Sequence, residues 1–287
     1  MKRRLCFITG ANSGIGKACA IQLARLGWRV LIGVRNRERG IAALRDIQNQ
    51  SGSDWVECIE IDMSLKSSIA GACQQITDRF DTLDVLIHNA ADFDIARKKP
   101  AFTTEGIETV WATNHIGPVF LTNRLSALLR KSEQGRIITV ASQGLMLHPR
   151  LQVDLADPEF KQRNYIVPQA YYQSKLAQLM YTYWLAENLA DTAVTVNCVR
   201  VTNVKIDISR YPNLSAFMKF LYSIKSRFSI SPEQMANTYT YLASSPELNT
   251  CSGKYFNEKN MVVSSSPYSL HPKNIEAVMT LTASYMI

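Results

Sequence analysis

No two of the six cysteines form a C-x-x-C pair, and none of the four histidines stands at metal-ligand spacing beside them, so no zinc or dithiol site is encoded. Cys6, Cys19, Cys58, Cys73, Cys198 and Cys251 read instead as reduced thiols in a core. Also missing is any run approaching the roughly 18 apolar residues that a membrane span requires. Met1-Lys2-Arg3-Arg4 is followed by only Leu5-Cys6-Phe7-Ile8 before a glycine motif, too short for a signal-peptide h-region, and the expected compartment is the cytoplasm. Charge is not segregated. The 32 Lys+Arg exceed the 24 Asp+Glu by 8, yet only Lys2-Arg3-Arg4 and Arg35-Asn36-Arg37-Glu38-Arg39 cluster. Without a zinc-finger, RNP or basic-helix signature, this argues against nucleic acid as a partner and leaves an anionic membrane surface or a small anionic ligand. Repeats and low-complexity linkers are absent too, so residues 1–287 are expected to form a single domain.

What is present is a regular alternation. Apolar runs at Leu5–Thr9, Trp28–Val34, Trp55–Ile61, Leu83–His88, Arg136–Ala141, Ala193–Val199 and Gly253–Phe256 read as strands. Amphipathic stretches near 14–26, 37–50, 66–80, 104–130, 169–189 and 232–244 read as helices. Thr103 or Thr104 can cap the long helix near 104–130, and Ser231 before Pro232 caps the sixth. Continuous apolar strands separated by helices predict an α/β fold: a Rossmann-type doubly wound parallel sheet of about seven strands in a three-layer αβα sandwich. Two segments interrupt the alternation, 143–167 and 205–230, and both leave the carboxyl ends of strands, where such sheets bind ligands. They are expected to build the substrate site.

The first strand runs into Thr9-Gly10-Ala11-Asn12-Ser13-Gly14-Ile15-Gly16-Lys17. A glycine-rich turn alone is ordinary; between a strand and a helix it is a phosphate cradle. Gly10 permits the tight turn, Gly14 the approach of a pyrophosphate and Gly16 the packing of helix on strand, with Asn12, Ser13 and Ile15 between them. At the end of the second strand stands Gly33-Val34-Arg35-Asn36, with no carboxylate for a ribose. Arg35 offers a fork for a 2′-phosphate and Lys17 lies in the turn itself, which favours NADP(H) over NAD; in the bland alternative these arginines are simply solvated. Asp62-Met63 ends the third strand and Asn89-Ala90-Ala91 the fourth, both on the same sheet edge. Asp62 can accept from an adenine amino group there.

Tyr171-Tyr172-Gln173-Ser174-Lys175 stacks Tyr171 and Lys175 on one helix face, with Tyr172 pointing about 100° away. An ammonium beside a phenol favours phenolate, so a group that titrates near 10 becomes an acid/base at neutral pH. Ser142 follows the fifth strand and can hold a substrate oxygen. Asn114 sits inside the long helix near 104–130, where asparagine is unfavourable and points to a kink or a held water. His88 and His115 read as structural neighbours of these residues, not as metal ligands.

These elements resemble the short-chain dehydrogenase/reductase family, whose T-G-x-x-x-G-x-G, N-A-G, Asn, Ser and Y-x-x-x-K motifs come in this order, and most of all its retinol-dehydrogenase-like branch. Thr113-Asn114-His115-Ile116-Gly117, Tyr171-Tyr172-Gln173-Ser174-Lys175-Leu176-Ala177 and Ser252-Gly253-Lys254-Tyr255-Phe256 carry that likeness. The resemblance implies that Tyr171 passes the proton, Lys175 lowers its pKa and holds the nicotinamide ribose, Ser142 orients the carbonyl and Asn114 anchors a water relay. It implies a carbonyl reductase or alcohol dehydrogenase, and it makes a homodimer a natural assembly. Two departures stand out. Asn89-Ala90-Ala91 replaces N-A-G. Val201-Thr202 replaces P-G, and Ile206 replaces a threonine on the nicotinamide carboxamide, so Thr202 or Asn203 would have to serve. A non-catalytic NADP(H)-binding protein of the same fold is the alternative. Segment 205–230, apolar but with Lys219, Lys225 and Arg227, suits a lid over a lipophilic carbonyl or alcohol; a basic amphipathic segment can also rest on a membrane surface, and the lid is the preferred reading.

Overall fold

The computed structural model describes residues 3–205 and 229–286. Its strands are β1 (Leu5–Thr9), β2 (Arg29–Val34), β3 (Val56–Glu60), β4 (Val85–Ile87), β5 (Arg136–Ser142), β6 (Thr195–Val201) and β7 (Lys254–Phe256). All pair in parallel, in the order β3-β2-β1-β4-β5-β6-β7. The apolar runs of β1 and β4 are buried throughout, as strands covered on both faces must be.

The covering helices are α1 (Gly14–Arg25), α2 (Arg37–Ser51), α3 (Lys66–Thr77), α4 (Thr109–Trp111), α5 (Gly117–Arg130), α6 (Val167–Asn188), α7 (Pro232–Ser244), α8 (Pro267–Leu270) and α9 (Pro272–Ala283). One apolar layer joins Ile8, Ile32 and Ile87 to α1, α2 and α7. The other joins Phe7, Leu31 and Leu86 to α3, α5, α6 and α9. Alternate residues of the same strands serve opposite layers, which makes the sheet the middle of a three-layer sandwich. As its sequence signals require, α7 begins with a reciprocal capping box between Ser231 and Gln234, with Pro232 at its first position. A cavity of about 260 Å³ lies between α5 and α6, lined by Thr122, Leu129, Ile137, Trp184, Leu185 and Val194. Ile137 and Val194 put it at the amino-terminal half of β5 and β6, away from their carboxyl edge.

The expected helix over 104–130 is shorter and interrupted. Gly106 takes φ +78°, a left-handed value that stops a helix, and Thr103 closes a turn on Glu105 and Ile107 instead of capping. Glu108 is the true cap, its carboxylate accepting from the Trp111 amide. Glu105 is spent elsewhere, accepting from the Lys66 and Ser67 amides at the start of α3. Between α4 and α5 the backbone widens into a π-helical turn, Ala112–Ile116, centred on Asn114. The α3 helix also ends at Thr77, three residues short of expectation.

The helices α8 and α9 were not expected. From α9, Thr282 bonds the His115 ring nitrogen Nε2 at 2.7 Å. Beyond it the Tyr285 carbonyl accepts from Lys66 Nζ at 2.9 Å, and the Tyr285 hydroxyl donates to Glu159. The 143–167 insertion begins with a 3-10 turn, Gln143–Leu147, and later folds about Asp157, whose carboxylate accepts from the amides of Lys161, Gln162 and Arg163. Most of the expected 205–230 insertion lies outside the described residues. All six cysteines are free thiols. Among the described residues no helix is long and apolar enough to cross a membrane, and no cluster of His, Cys, Asp and Glu suits a metal.

Burial holds the His115 imidazole neutral down to about pH 3, whereas in the unfolded chain it takes a proton near 6.5. Between those values the unfolded state binds the extra proton, so folding stability falls as pH falls. In urea titrations from pH 7 to pH 4, His115→Gln is expected to lose stability with a shallower pH slope than the wild type; identical slopes would refute the assignment.

Candidate active site

The glycine turn lies where chain order reverses between β1 and β4, the switch point at which open α/β sheets form their crevice. Gly10 has φ +65°, and a Cβ there would come within 2.8 Å of the Ala90 backbone. Only glycine allows the two loops to meet this closely. Gly10 and Ala11 donate their amides to the Gly33 carbonyl, tying the turn to β2. Asn89 braces it from the other side, its Nδ2 donating to the carbonyls of Thr9 at 2.9 Å and Gly10 at 3.0 Å. A Cβ on Gly16 would collide with that same amide. Thr9 completes the brace, its hydroxyl accepting from the Ala90 amide.

Ser13 is the first flanking residue of α1, yet its side chain makes no capping bond, and no acidic residue stands in the first turn. The leading amides of α1 therefore face outward with the positive end of the helix dipole and no internal counter-charge, which fits an anion. Asn12, Ser13, Gly14 and Ile15 line this concavity half-exposed.

Several expected cofactor residues are otherwise engaged. Arg35 stands exposed at the end of β2, but Asn36 caps α2 by accepting from the Arg39 amide. Lys17 is turned away from the glycine turn and pairs with Asp46 on α2. Asp62 uses Oδ1 to accept from the amide and hydroxyl of Ser64. Met63 is buried in the core, so only its backbone can meet a ligand. Asn89 braces the turn, Ala90 abuts it and Ala91 is exposed. Thr202 donates to the Gln143 side chain, linking the end of β6 to the turn after Ser142.

The second group converges from three elements. Lys175, 1% exposed, donates from Nζ to the Val140 carbonyl at 2.9 Å, two residues before Ser142 on β5. Burial pulls its pKa down to about 8. Its Nζ lies 5.8 Å from the centroid of the Tyr171 ring, one helical turn earlier. Tyr172 packs against Gly144 and the His148 ring and meets the Tyr171 ring edge-on at 5.4 Å. Ser142 is half-buried at the carboxyl end of β5, and its hydroxyl accepts from the Gly144 amide at 3.1 Å.

Asn114, fully buried, is aimed by the π-helical turn into the gap beside α6. Its amide nitrogen donates to Ser174 Oγ and to the Asp92 carbonyl, both at 3.0 Å, and its oxygen accepts from the Asp92 amide at 2.7 Å. The carboxamide thus joins α6 to the loop after β4. Ser174 passes the link on by donating to the Tyr171 carbonyl at 2.7 Å. Asn114, Ser142, Tyr171 and Lys175 therefore share one neighbourhood at the carboxyl edge of the sheet, beside the glycine turn.

Four residues of this neighbourhood had no role in the sequence reading: Thr9, Asp92, Phe93 and Ser174. Ser174 and Thr9 sit inside quoted motifs, a signal that was there. Asp92 and Phe93 follow Asn89-Ala90-Ala91 without any periodicity to mark them, and the Phe93 ring lies 4.4 Å from that of Tyr171. Together the outward amides, glycine cradle, phenol, ammonium and serine hydroxyl can hold a dinucleotide and move a proton to or from an oxygen beside it.

A family model described as short chain dehydrogenase matches residues 4–151. Retinol dehydrogenase 14 of Homo sapiens is 34% identical over 90% of this chain and 79% of its own length. Retinol dehydrogenase 13 of Homo sapiens is 33% identical over 87% of this chain and 74% of its own. Among solved structures, an uncharacterized protein from Mycobacterium Paratuberculosis aligns with a TM-score of 0.75 at 27% identity, covering 99% of this chain and 93% of that one. A short chain dehydrogenase from Shigella flexneri complexed with NADP aligns with a TM-score of 0.68 at 21% identity, over 90% of this chain and 98% of its own, a likeness of fold.

Gly16→Ala forces the Asn89 amide off the carbonyls it braces. Calorimetric titration with NADPH should show at least about tenfold weaker binding, the loss of one or more hydrogen-bond equivalents. Unchanged affinity would mean that the braced turn does not hold the dinucleotide.

Proposed function

The chain belongs to the short-chain dehydrogenase family, in its retinol-dehydrogenase-like branch, and from that premise we propose that it is an NADP(H)-dependent oxidoreductase interconverting a lipophilic ketone or aldehyde and its alcohol. The observation that carries the reading is the arrangement of α6 against β5: Lys175 anchored on Val140, Tyr171 one turn away and Ser142 two residues along the strand. A scaffold that only bound nucleotide would have no use for a buried ammonium beside a phenol.

Bound NADP(H) supplies the hydride in reduction and accepts it in oxidation. The amides at the start of α1 would hold its pyrophosphate and Arg35 would pair with its 2′-phosphate; no carboxylate occupies that turn to select NAD. Ser142 donates its hydroxyl to the substrate oxygen and fixes its distance from Tyr171. Tyr171 gives its phenolic proton to that oxygen in reduction and takes it back in oxidation, while the Lys175 ammonium stabilises the phenolate left behind. Asn114 holds Ser174 and the Asp92 backbone, and so sets the wall of the crevice next to Tyr171. Retinol is the substrate named for the mammalian relatives, and a long apolar carbonyl suits this chain too. Met146 and Leu147, a few residues past Ser142, are exposed, and Phe93 lies on Tyr171. Hydride transfer at such a site depends on alignment, and alignment contributes many orders of magnitude in rate.

Two measurements test the reading. Tyr171→Phe removes the proton but not the ring, so in a screen of aldehydes and ketones that includes retinal, kcat should fall by about 10²- to 10⁴-fold with NADPH affinity retained. Wild-type turnover in the variant would overturn the acid/base assignment. Arg35→Asp should weaken NADPH by about tenfold or more while leaving NADH nearly unaffected, as expected for loss of a charge-assisted phosphate contact; equal losses would reject that contact.

A further inference from the structure

Residues 92–97 belong to no helix or strand, yet they are fixed more tightly than a loop of this kind requires. Arg97 grips Asp92 with a two-pronged fork, Nη1 to Oδ2 at 2.8 Å and Nη2 to Oδ1 at 3.2 Å. The same Nη1 donates to Thr109 Oγ1 at 2.7 Å and stands 3.9 Å from Glu108 Oε1. Thr109 is the first residue of α4 and Glu108 is its cap, so one guanidinium binds both the loop after β4 and the start of the short helix that leads into the turn carrying Asn114. Tyr165 from the 143–167 insertion donates to Glu108 Oε1 at 3.2 Å, and Glu159 accepts the Glu108 amide at 2.7 Å.

The opposite side of Asp92 faces the reacting centre. Its amide and carbonyl are clasped by the Asn114 carboxamide, which continues through Ser174 Oγ to the carbonyl of Tyr171. The next residue, Phe93, lays its ring 4.4 Å from the ring of Tyr171. Tyr171 is thus held at its backbone through Asp92 and Asn114 and met at its ring by Phe93, and Arg97 fixes Asp92, the residue next to Phe93.

We propose that Arg97 is a positioning residue, and that the Arg97–Asp92 fork, closed on Glu108 and Thr109, sets the orientation of the Tyr171 phenol against Lys175 and the substrate. The inference rests on the acid/base reading of Tyr171. The side chains of Arg97 and Asp92 are 19% and 22% exposed, a partly buried pair whose loss also costs some global stability. Its effect on the placement of a catalytic group can be much larger, because a displacement of about 1 Å costs about a hundredfold in rate. The two roles therefore separate by magnitude.

The test compares wild type with Arg97→Met, Arg97→Lys and Asp92→Asn, using whichever aldehyde gives turnover in the screen above. Arg97→Met and Asp92→Asn should each lower kcat by about ten- to a hundredfold, with NADPH affinity within about twofold and a melting temperature lowered by only a few degrees. Arg97→Lys keeps the charge without the fork and should fall between. The double variant Asp92→Asn/Arg97→Met should be no slower than the worse single one, since both act through one pair. A second readout needs no substrate: ultraviolet tyrosinate titration of the NADP(H)-bound protein, in which the step missing from Tyr171→Phe should move to higher pH in Arg97→Met. Wild-type kcat with an unmoved tyrosinate step would overturn the proposal, and so would a loss of turnover matched by equal losses in NADPH affinity and melting temperature. If Tyr171→Phe itself turned over normally, the underlying reading would fail first. If Tyr171→Phe is inactive and Arg97→Met is normal, only the positioning role fails.

Discussion

A charged amine with 1% of its surface in water must find an acceptor inside the protein, and for Lys175 that acceptor is the Val140 carbonyl. The carbonyl sits in the middle of β5, so satisfying the amine presses the first half of α6 onto the sheet at one height. Everything chemically active is indexed from that contact: Ser142 two residues on, Tyr171 one turn back and Ser174 next door. The cost is visible in the amine itself, whose proton affinity burial draws down to about 8. A group that would stay charged across the physiological range is brought to where its charge responds to surroundings, as active sites commonly require.

The architecture was legible because it rests on long patterns. Seven apolar runs separated by amphipathic stretches imply one topology class, and the glycine turn between β1 and α1 marks the crevice. Helix ends with strong local chemistry were legible too, as at Ser231-Pro232. The start of the helix expected over 104–130 was not, because Thr103 is as good a cap in principle as Glu108. What decided it was Gly106, forced left-handed by a turn, and the engagement of Glu105 by another helix. The helices after β7 escaped notice for a related reason: their first residues are Ser-Pro and His-Pro pairs that read equally well as loop.

In the candidate site, residue identities could be read from spacing but their partners could not. Asn114 was expected to kink its helix or hold a water. The helix does widen there, but the carboxamide is occupied by the Asp92 backbone and by Ser174, two partners that lie 22 and 60 residues away. Asn36 and Lys17 show the same limit: one is spent on a cap and the other on an ion pair with α2. Spacing along a chain specifies which face a residue shares, while a partner from a distant element is fixed only by packing.

One further contact bears on how the molecule is assembled. Lys66 near the start of α3 donates to the carbonyl of Tyr285, 219 residues later, and the hydroxyl of that same tyrosine closes on Glu159. During synthesis, α3 waits for 219 further residues before this partner exists, and the loop beside the crevice waits with it. The dinucleotide half can therefore collapse early around its own sheet, while the neighbourhood of Glu108 and Glu159 is finished only once Tyr285 has been made.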